Sequence, residues 1–257
     1  MEGHRGPIRA AVAVLALLLA APALAGAAEL TVLGARGVRQ VVAGIADDFQ
    51  RTAGHTVWLS YPGAEGIVQL AQATAADVVI APMADIEALE ADGVVQRGTR
   101  VVLGQVALGV AVRAGTPPPD ISTPSKLRRA VLLATSLAHL DPERDAVGRH
   151  VVDALAAIGI APLVRPKTTF VGEGARAVEA VGRGDVALAI VGASEIRGVA
   201  DVAFAGPLPA SLQHTVVYAA AVHARSATPD VAADLMRYLT GERARARITA
   251  GGLDPLP

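Results

Sequence analysis

A chain of 257 residues with 52% apolar and 18% charged side chains can bury a large core, and at this length a single core begins to divide, so one domain and two lobes are both open. The formal net charge of −1 and the lack of lysine-rich runs argue against nucleic acid as a partner. With no cysteine, the chain has no disulfide, thiolate nucleophile, cysteine metal site or N-terminal cysteine for lipid attachment.

At the N-terminus, His4, Arg5 and Arg9 precede the apolar run Ala10 to Ala21, and Pro22-Ala23-Leu24-Ala25 supplies a small-x-small pattern. The run is roughly a dozen residues, short of the ~20 that span a bilayer. It predicts a cleaved secretory signal over residues 1–27, cut after Ala25 or Ala27, and a mature protein free in the periplasm.

From Glu29 the order is strand LTVL, turn GARG, helix VRQVVAGIADDFQRTAG and strand HTVWLSY. Val38, Val41, Val42, Ile45 and Phe49 share one helical face, and Gly54 closes the helix as a C-terminal cap. A second unit follows: turn PGAEG, helix IVQLAQAT and the strand Asp77 to Ala81. Apolar strands that do not alternate belong to parallel sheets covered on both faces, so the class is α/β.

After the helix DIEALEADG come the long β-rich stretch RVVLGQVALGVAVRAG and a proline-rich turn at Thr116 to Asp120. Ser122 or Thr123 with Pro124 opens the next helix, which leads to a predicted strand AVLLATS, a polar loop LAHLDPERDAVG and the helix RHVVDALAAIG. The strand TTFV, turn GEG, helix ARAVEAVGRGD and strand VALAIVGAS form a third unit. The stretch LQHTVVYAAAVHA returns as strand before one terminal helix, ATPDVAADLMRYLTGERARARI. Two βα clusters joined by long strands near residues 105 and 215 predict two lobes with two crossover strands. Lobe 1 takes residues 28–104 and 206–257, and lobe 2 takes 105–205. The cleft between the carboxyl ends of the two sheets is where ligands of such folds bind.

Catalytic signatures are mostly absent: no HExxH, no G-x-S-x-G and no Walker loop. No metal or cofactor is expected. His139 and His150 read as solvated histidines of a loop and a helix start, and Asp141, Glu143 and Asp145 as a solvated acidic loop. Gly172-Glu173-Gly174-Ala175-Arg176-Ala177 matches G-x-G-x-x-A, with Glu195 about twenty residues on, as in dinucleotide sites. Glu173 in the phosphate turn and Pro166 before the very short strand favour a plain βα turn instead. Four helix starts would face the cleft with free N–H groups suited to an anion: Gly34 to Gly37, Gly63 to Gly66, Ala146 to Arg149 and Gly172 to Arg176. Converging anion-friendly turns without a catalytic group describe a binding protein, not an enzyme.

The segments AELTVLGARGV, DDFQRTAGHTV, IVQLAQATAADVVIAP, MADIEALEADGVV, LDPERDAVGRHVVDALAAIGI and VRPKTTFVGEGARAVEAVGRGDVALAIV cover most of Glu29 to Ser194. In order and register they resemble the periplasmic molybdate-binding proteins of ABC importers, with the type II periplasmic binding fold. The resemblance implies a small anionic ligand, an inner-membrane ABC permease as partner and a monomer. It also implies neutral donors: serines in the first two loops, backbone N–H groups and a tyrosine from the second lobe. Here the first-loop serine falls near Ala35 or Arg36, the second-loop pair near Ala64 and Glu65, and the tyrosine at Gly192. Backbone donors around Gly148 and Ala175 remain.

Arg36 offers a planar fork suited to a carboxylate or phosphate. It either binds the ligand or pairs with Glu65, leaving Arg149 or Arg176 for that task. The candidate ligand-binding set is Ala35, Arg36, Ser60, Ala64 and Glu65 from the first lobe, with Ser136, Gly148, Arg149, Gly174 and Ala175 from the second. Ser60 and Ser136 are equally placed to cap strand ends. The function expected is capture of a molybdate-like oxyanion or small organic acid for import. A ligand-sensing protein for a signalling receptor, or an exported enzyme, is the alternative.

Overall fold

The computed structural model describes residues 27–62 and 66–256. The predicted signal sequence and the candidate residues Ala64 and Glu65 lie outside the described residues.

Strand β1 (Glu29–Gly34) lies between β2 (Thr56–Ser60) and β3 (Val78–Pro82), all parallel. Strand β9 (Thr215–Val222) runs antiparallel to β3, and β4 (Val101–Arg113) runs antiparallel to β9. Beyond β4 the order continues through β7 (Leu188–Gly192) and β5 (Leu137–Leu140) to β6 (Thr168–Val171), with β8 (Val202–Pro207) also paired to β4. The β5, β6 and β7 pairings are parallel.

The long strand β4 belongs to both sheets. Val101 to Ala107 pairs with β9, whereas Leu108 onward faces β7 and β8. The chain returns through residues 208–214, where Gln213 clamps the crossing: its Oε1 accepts from Leu108 N–H at 2.8 Å and its Nε2 donates to Leu108 O at 3.0 Å. At Gly104 the pairing shifts register with φ +149, and a Cβ there would stand 2.7 Å from Asp254 O. Only a glycine admits the C-terminal segment, which exchanges two hydrogen bonds with Gln105.

Alternation along the strands builds a core on each face of each sheet. Val78 and Ile80 pack with Leu30, Phe49 and Leu235 on one face, while Val79 and Ala81 pack with Ile86 and Leu89 on the other. Leu188 and Ile190 join Leu127 and Leu155, and Ala189 and Val191 join Val178 and Ile196. Each cluster draws its buried residues from one side of the crossing, which is the architecture of two lobes on a hinge.

Helix α1 (Arg39–Ala53) buries Val41, Val42, Ile45 and Phe49 and ends at Gly54 with φ 73, as its periodicity predicts. Helices α2 (Gly66–Ala73) and α3 (Met83–Ala91) cover the first sheet. Helix α4 (Pro124–Leu133) starts on Thr123, whose side chain accepts from Lys126 N–H, and runs through the apolar residues expected to be a strand. The strand is instead LAHL, taken in the sequence as loop, because Leu127 and Val131 continue the buried helical face. His139 is correspondingly buried in β5, not solvated, and burial pushes its pKa down.

Helix α5 (Ala146–Ala157) is followed by the one-turn α6 (Ala161–Val164), and α7 (Gly174–Arg183) by the one-turn α8 (Ala193–Ile196). The terminal helix is two, α9 (Pro229–Thr240) and α10 (Glu242–Ala250), broken where Gly241 adopts extended backbone.

Candidate functional site

The site forms where the carboxyl ends of both sheets meet. At the end of β1, Ala35 N–H donates to Ile80 O at 2.8 Å, and the chain turns into a single 3-10 turn, Arg36–Val38. This turn reaches the other lobe twice. Arg36 Nη1 donates to Glu173 Oε1 at 2.8 Å, and Gly37 O accepts from Ser194 Oγ at 2.5 Å. The structure is therefore closed across the cleft.

Between these contacts lies a cavity of about 120 Å³, whose polar wall includes Arg36, Asp145, Glu173, Ser194, Glu195 and Tyr218. Val106, Leu108, Val147 and Val216 supply its apolar wall. A wider opening of about 600 Å³ adjoins it, where Arg36, Arg144 and Arg176 face Asp141, Asp145 and Glu173. Among the described residues, no group of three or more His, Cys, Asp or Glu side chains is placed to hold a metal ion.

Both helix starts expected to offer free N–H groups from the second lobe have one of the protein's own carboxylates beside them. Asp145 caps α5, its Oδ1 accepting from Val147 N–H at 2.7 Å and Gly148 N–H at 3.2 Å. At α7, the Glu195 carboxylate lies beside the backbone N–H groups of Ala175 and, from the end of β7, Gly192, which favour its charged form. Glu195 lies flat over Gly174, where an added Cβ would come within 2.2 Å of its Oε2.

Burial pushes the Glu195 pKa up to about 7, helped by the Asp145 charge and opposed by the two N–H donors and Arg36. Burial, with the charges of Glu195, Asp145 and Asp85, pushes the Tyr218 phenol up, so it stays a neutral donor. The site thus offers one guanidinium at its mouth, a phenol and a serine hydroxyl in its wall, and a carboxyl group whose proton is shared near neutrality.

Of the sequence candidates, Arg36 and Gly174 line the cavity, Gly148 N–H donates to Asp145, and Ala175 N–H lies beside the Glu195 carboxylate. Ala35 is one residue outside the cavity wall, bonded to β3. Ser60 is exposed at the end of β2. Ser136 precedes β5, at the opposite end from the cleft, where its Oγ accepts from Ala187 N–H at 2.9 Å. Arg149 is exposed and donates to Pro142 O. Among the described residues Arg36 pairs with Glu173, from the other lobe, and Arg176 stands in the outer opening.

Sequence reasoning left out Tyr218 and Ser194, and it read Asp145 as solvated. The tyrosine comes from β9, not from Gly192 at the end of β7, where the resemblance puts it. Glu195 did carry a signal, its spacing from the G-x-G turn. The close approach that Gly174 permits is used by Glu195 itself rather than by a pyrophosphate.

The family model for bacterial extracellular solute-binding proteins matches residues 30–254. A curated protein of a Pseudomonas species named aconitate isomerase is 29% identical, the match covering 94% of this chain and 95% of that protein. Among solved structures, the periplasmic molybdate-binding protein of Azotobacter vinelandii superposes with a TM-score of 0.73 at 20% identity, covering 89% of this chain and 99% of the other. The sulfate-binding protein of Mycobacterium tuberculosis H37Rv gives 0.68 at 17% identity, covering 89% and 87%.

Proposed function

The chain belongs to the bacterial extracellular solute-binding proteins, and from that premise we propose that it captures a small polycarboxylate in the periplasm, after removal of a signal sequence, and delivers it to an inner-membrane ABC permease. The observation that carries the ligand class is the Arg36–Glu173 contact: the guanidinium at the cavity mouth already holds a carboxylate, through one Nη1–Oε1 bond. Arg36 and Ala35 stand where the molybdate-binder resemblance puts a neutral serine donor, and a fork favours a planar carboxylate over a tetrahedral oxyanion. The name of the Pseudomonas relative supports the same class, since aconitate is an unsaturated tricarboxylate.

Binding works by hinge closure about β4 and residues 208–214, the ligand favouring the closed state through contacts that only the closed cleft completes. Ligand-stripped protein is screened by thermal shift against cis- and trans-aconitate, citrate, sulfate, phosphate and molybdate. Saturation at about 100 times Kd stabilises by ~2.7 kcal/mol, roughly 5–10 °C for a chain of this size. The expected outcome is a shift of that order with polycarboxylates and little with the inorganic anions. A shift with molybdate alone would refute the ligand class.

A second reading is favoured by one observation, the carboxyl group of Glu195 in the cavity wall. A chain with a relative named for isomerising aconitate, and with a titratable acid facing its cleft, fits interconversion of the isomers of such a ligand as well as its capture.

A further inference from the structure

We infer that Glu195 is the proton-transfer group of this cleft, carrying a proton between the two outer carbons of a bound propene tricarboxylate and so interconverting its cis and trans forms. The inference rests on the polycarboxylate reading above.

The geometry places a carboxyl group in the wall of the inter-lobe cavity, beside two backbone N–H groups and seated closely on Gly174. Arg36, a cation of the cavity wall, is engaged by Glu173, and among the described residues the half-buried Glu195 has no salt-bridge partner. Such a group has no stabilising role that a neutral glutamine or an apolar side chain would not fill at lower cost. Its proton is held near neutral pH, the condition under which one group both accepts and returns a proton. Arg36 at the mouth and the neutral Tyr218 phenol in the wall are placed to hold ligand carboxylates and to take up the charge that develops on them. Val106, Leu108, Val147 and Val216 supply an apolar wall against which the carbons of the ligand would lie.

The step balances without oxidant, water or metal. The Glu195 carboxylate removes one proton from the CH2 group beside the double bond. The electron pair of that C–H bond forms a new double bond to the central carbon, and the former π pair passes to the opposite CH carbon and its carboxylate as an extended enolate. The neutral Glu195 then returns the proton to that carbon, which becomes the new CH2. The product has the same constitution, and its geometry is set by how the new double bond was held when it formed.

The test uses mature protein and cis-aconitate followed by proton NMR in D2O, with binding measured separately by calorimetry. Wild type is expected to accumulate trans-aconitate and exchange methylene protons. Glu195→Gln should lose this by about 100-fold or more, while keeping cis-aconitate affinity within a few-fold and a melting temperature no lower than wild type. The wild-type rate should rise with pH through a limb near neutrality that reports Glu195, faced by Arg36, Asp145, Glu173 and Tyr218. Binding by wild type without conversion or exchange would overturn the proton-transfer role and leave capture standing, and no binding at all would overturn both. Equal turnover by Glu195→Gln, prepared in parallel, would assign the activity to another group or a contaminant and overturn the inference.

Discussion

The seat of Glu195 on Gly174 makes Gly174→Ala a direct measurement of the site's packing. Gly174 has an ordinary negative φ, so alanine meets no backbone strain, and at a helix start the change alone should stabilise by about 0.5–1 kcal/mol. Against this, the new Cβ would lie 2.2 Å from Glu195 Oε2 and 2.5 Å from both Cδ and Oε1, far short of the ~3.5 Å of a relaxed contact. The side chain has to retreat by about 1 Å from its packed position, an overpacking that costs about 1–3 kcal/mol.

The net loss reaches at most roughly 2 kcal/mol, a fall of up to about 8 °C in melting temperature by circular dichroism. In a Glu195→Ala background the obstacle is gone, and the same change should raise the melting temperature by about 1–3 °C. The coupling between the two positions is then about 1–3 kcal/mol, as expected of residues in contact. An equal fall in both backgrounds would show that the carboxylate does not occupy that space.

Arg36→Ala should weaken polycarboxylate binding by about 10–100-fold, the worth of a charge-assisted pair, whereas Arg39→Ala, exposed one residue past the 3-10 turn with its guanidinium over Tyr61, should change it less than about threefold. Calorimetry decides, and equal effects would return Arg36 to the status of a surface residue. Glu173→Gln removes the protein's own competitor for Arg36 and should tighten the same ligand by a few-fold; weaker binding would mean that Glu173 serves the ligand rather than competing with it.

Because the folded state raises the Glu195 pKa from 4.5 to about 7, its contribution is fully present below 4.5 and is lost as pH climbs through 7. In urea titrations Glu195→Gln should therefore match wild type near pH 4 and gain on it by up to a few kcal/mol by pH 8. A constant difference across that range would place Glu195 in water.

The α/β class, the cap at Gly54, the Thr123–Pro124 helix start and the placing of Arg36 in a turn at a sheet's carboxyl end were legible in the sequence, because each rests on chemistry within a few residues of chain. LAHL was misread because a buried histidine looks polar in one dimension, and the error moved Ser136 from the start of a strand to its end. In a parallel sheet those two ends lie on opposite edges, one facing the cleft and one facing away. Glu195, Tyr218 and Asp145 share a cavity only because the order β7-β5-β6 brings three chain-distant strand ends together and the hinge closes β9 and the Arg36 turn over them. Sequence alone set which turns suit an anion; tertiary structure decided that the protein's own carboxylates sit at two of them, because strand order and lobe closure, not chain spacing, determine which charges are near enough to meet.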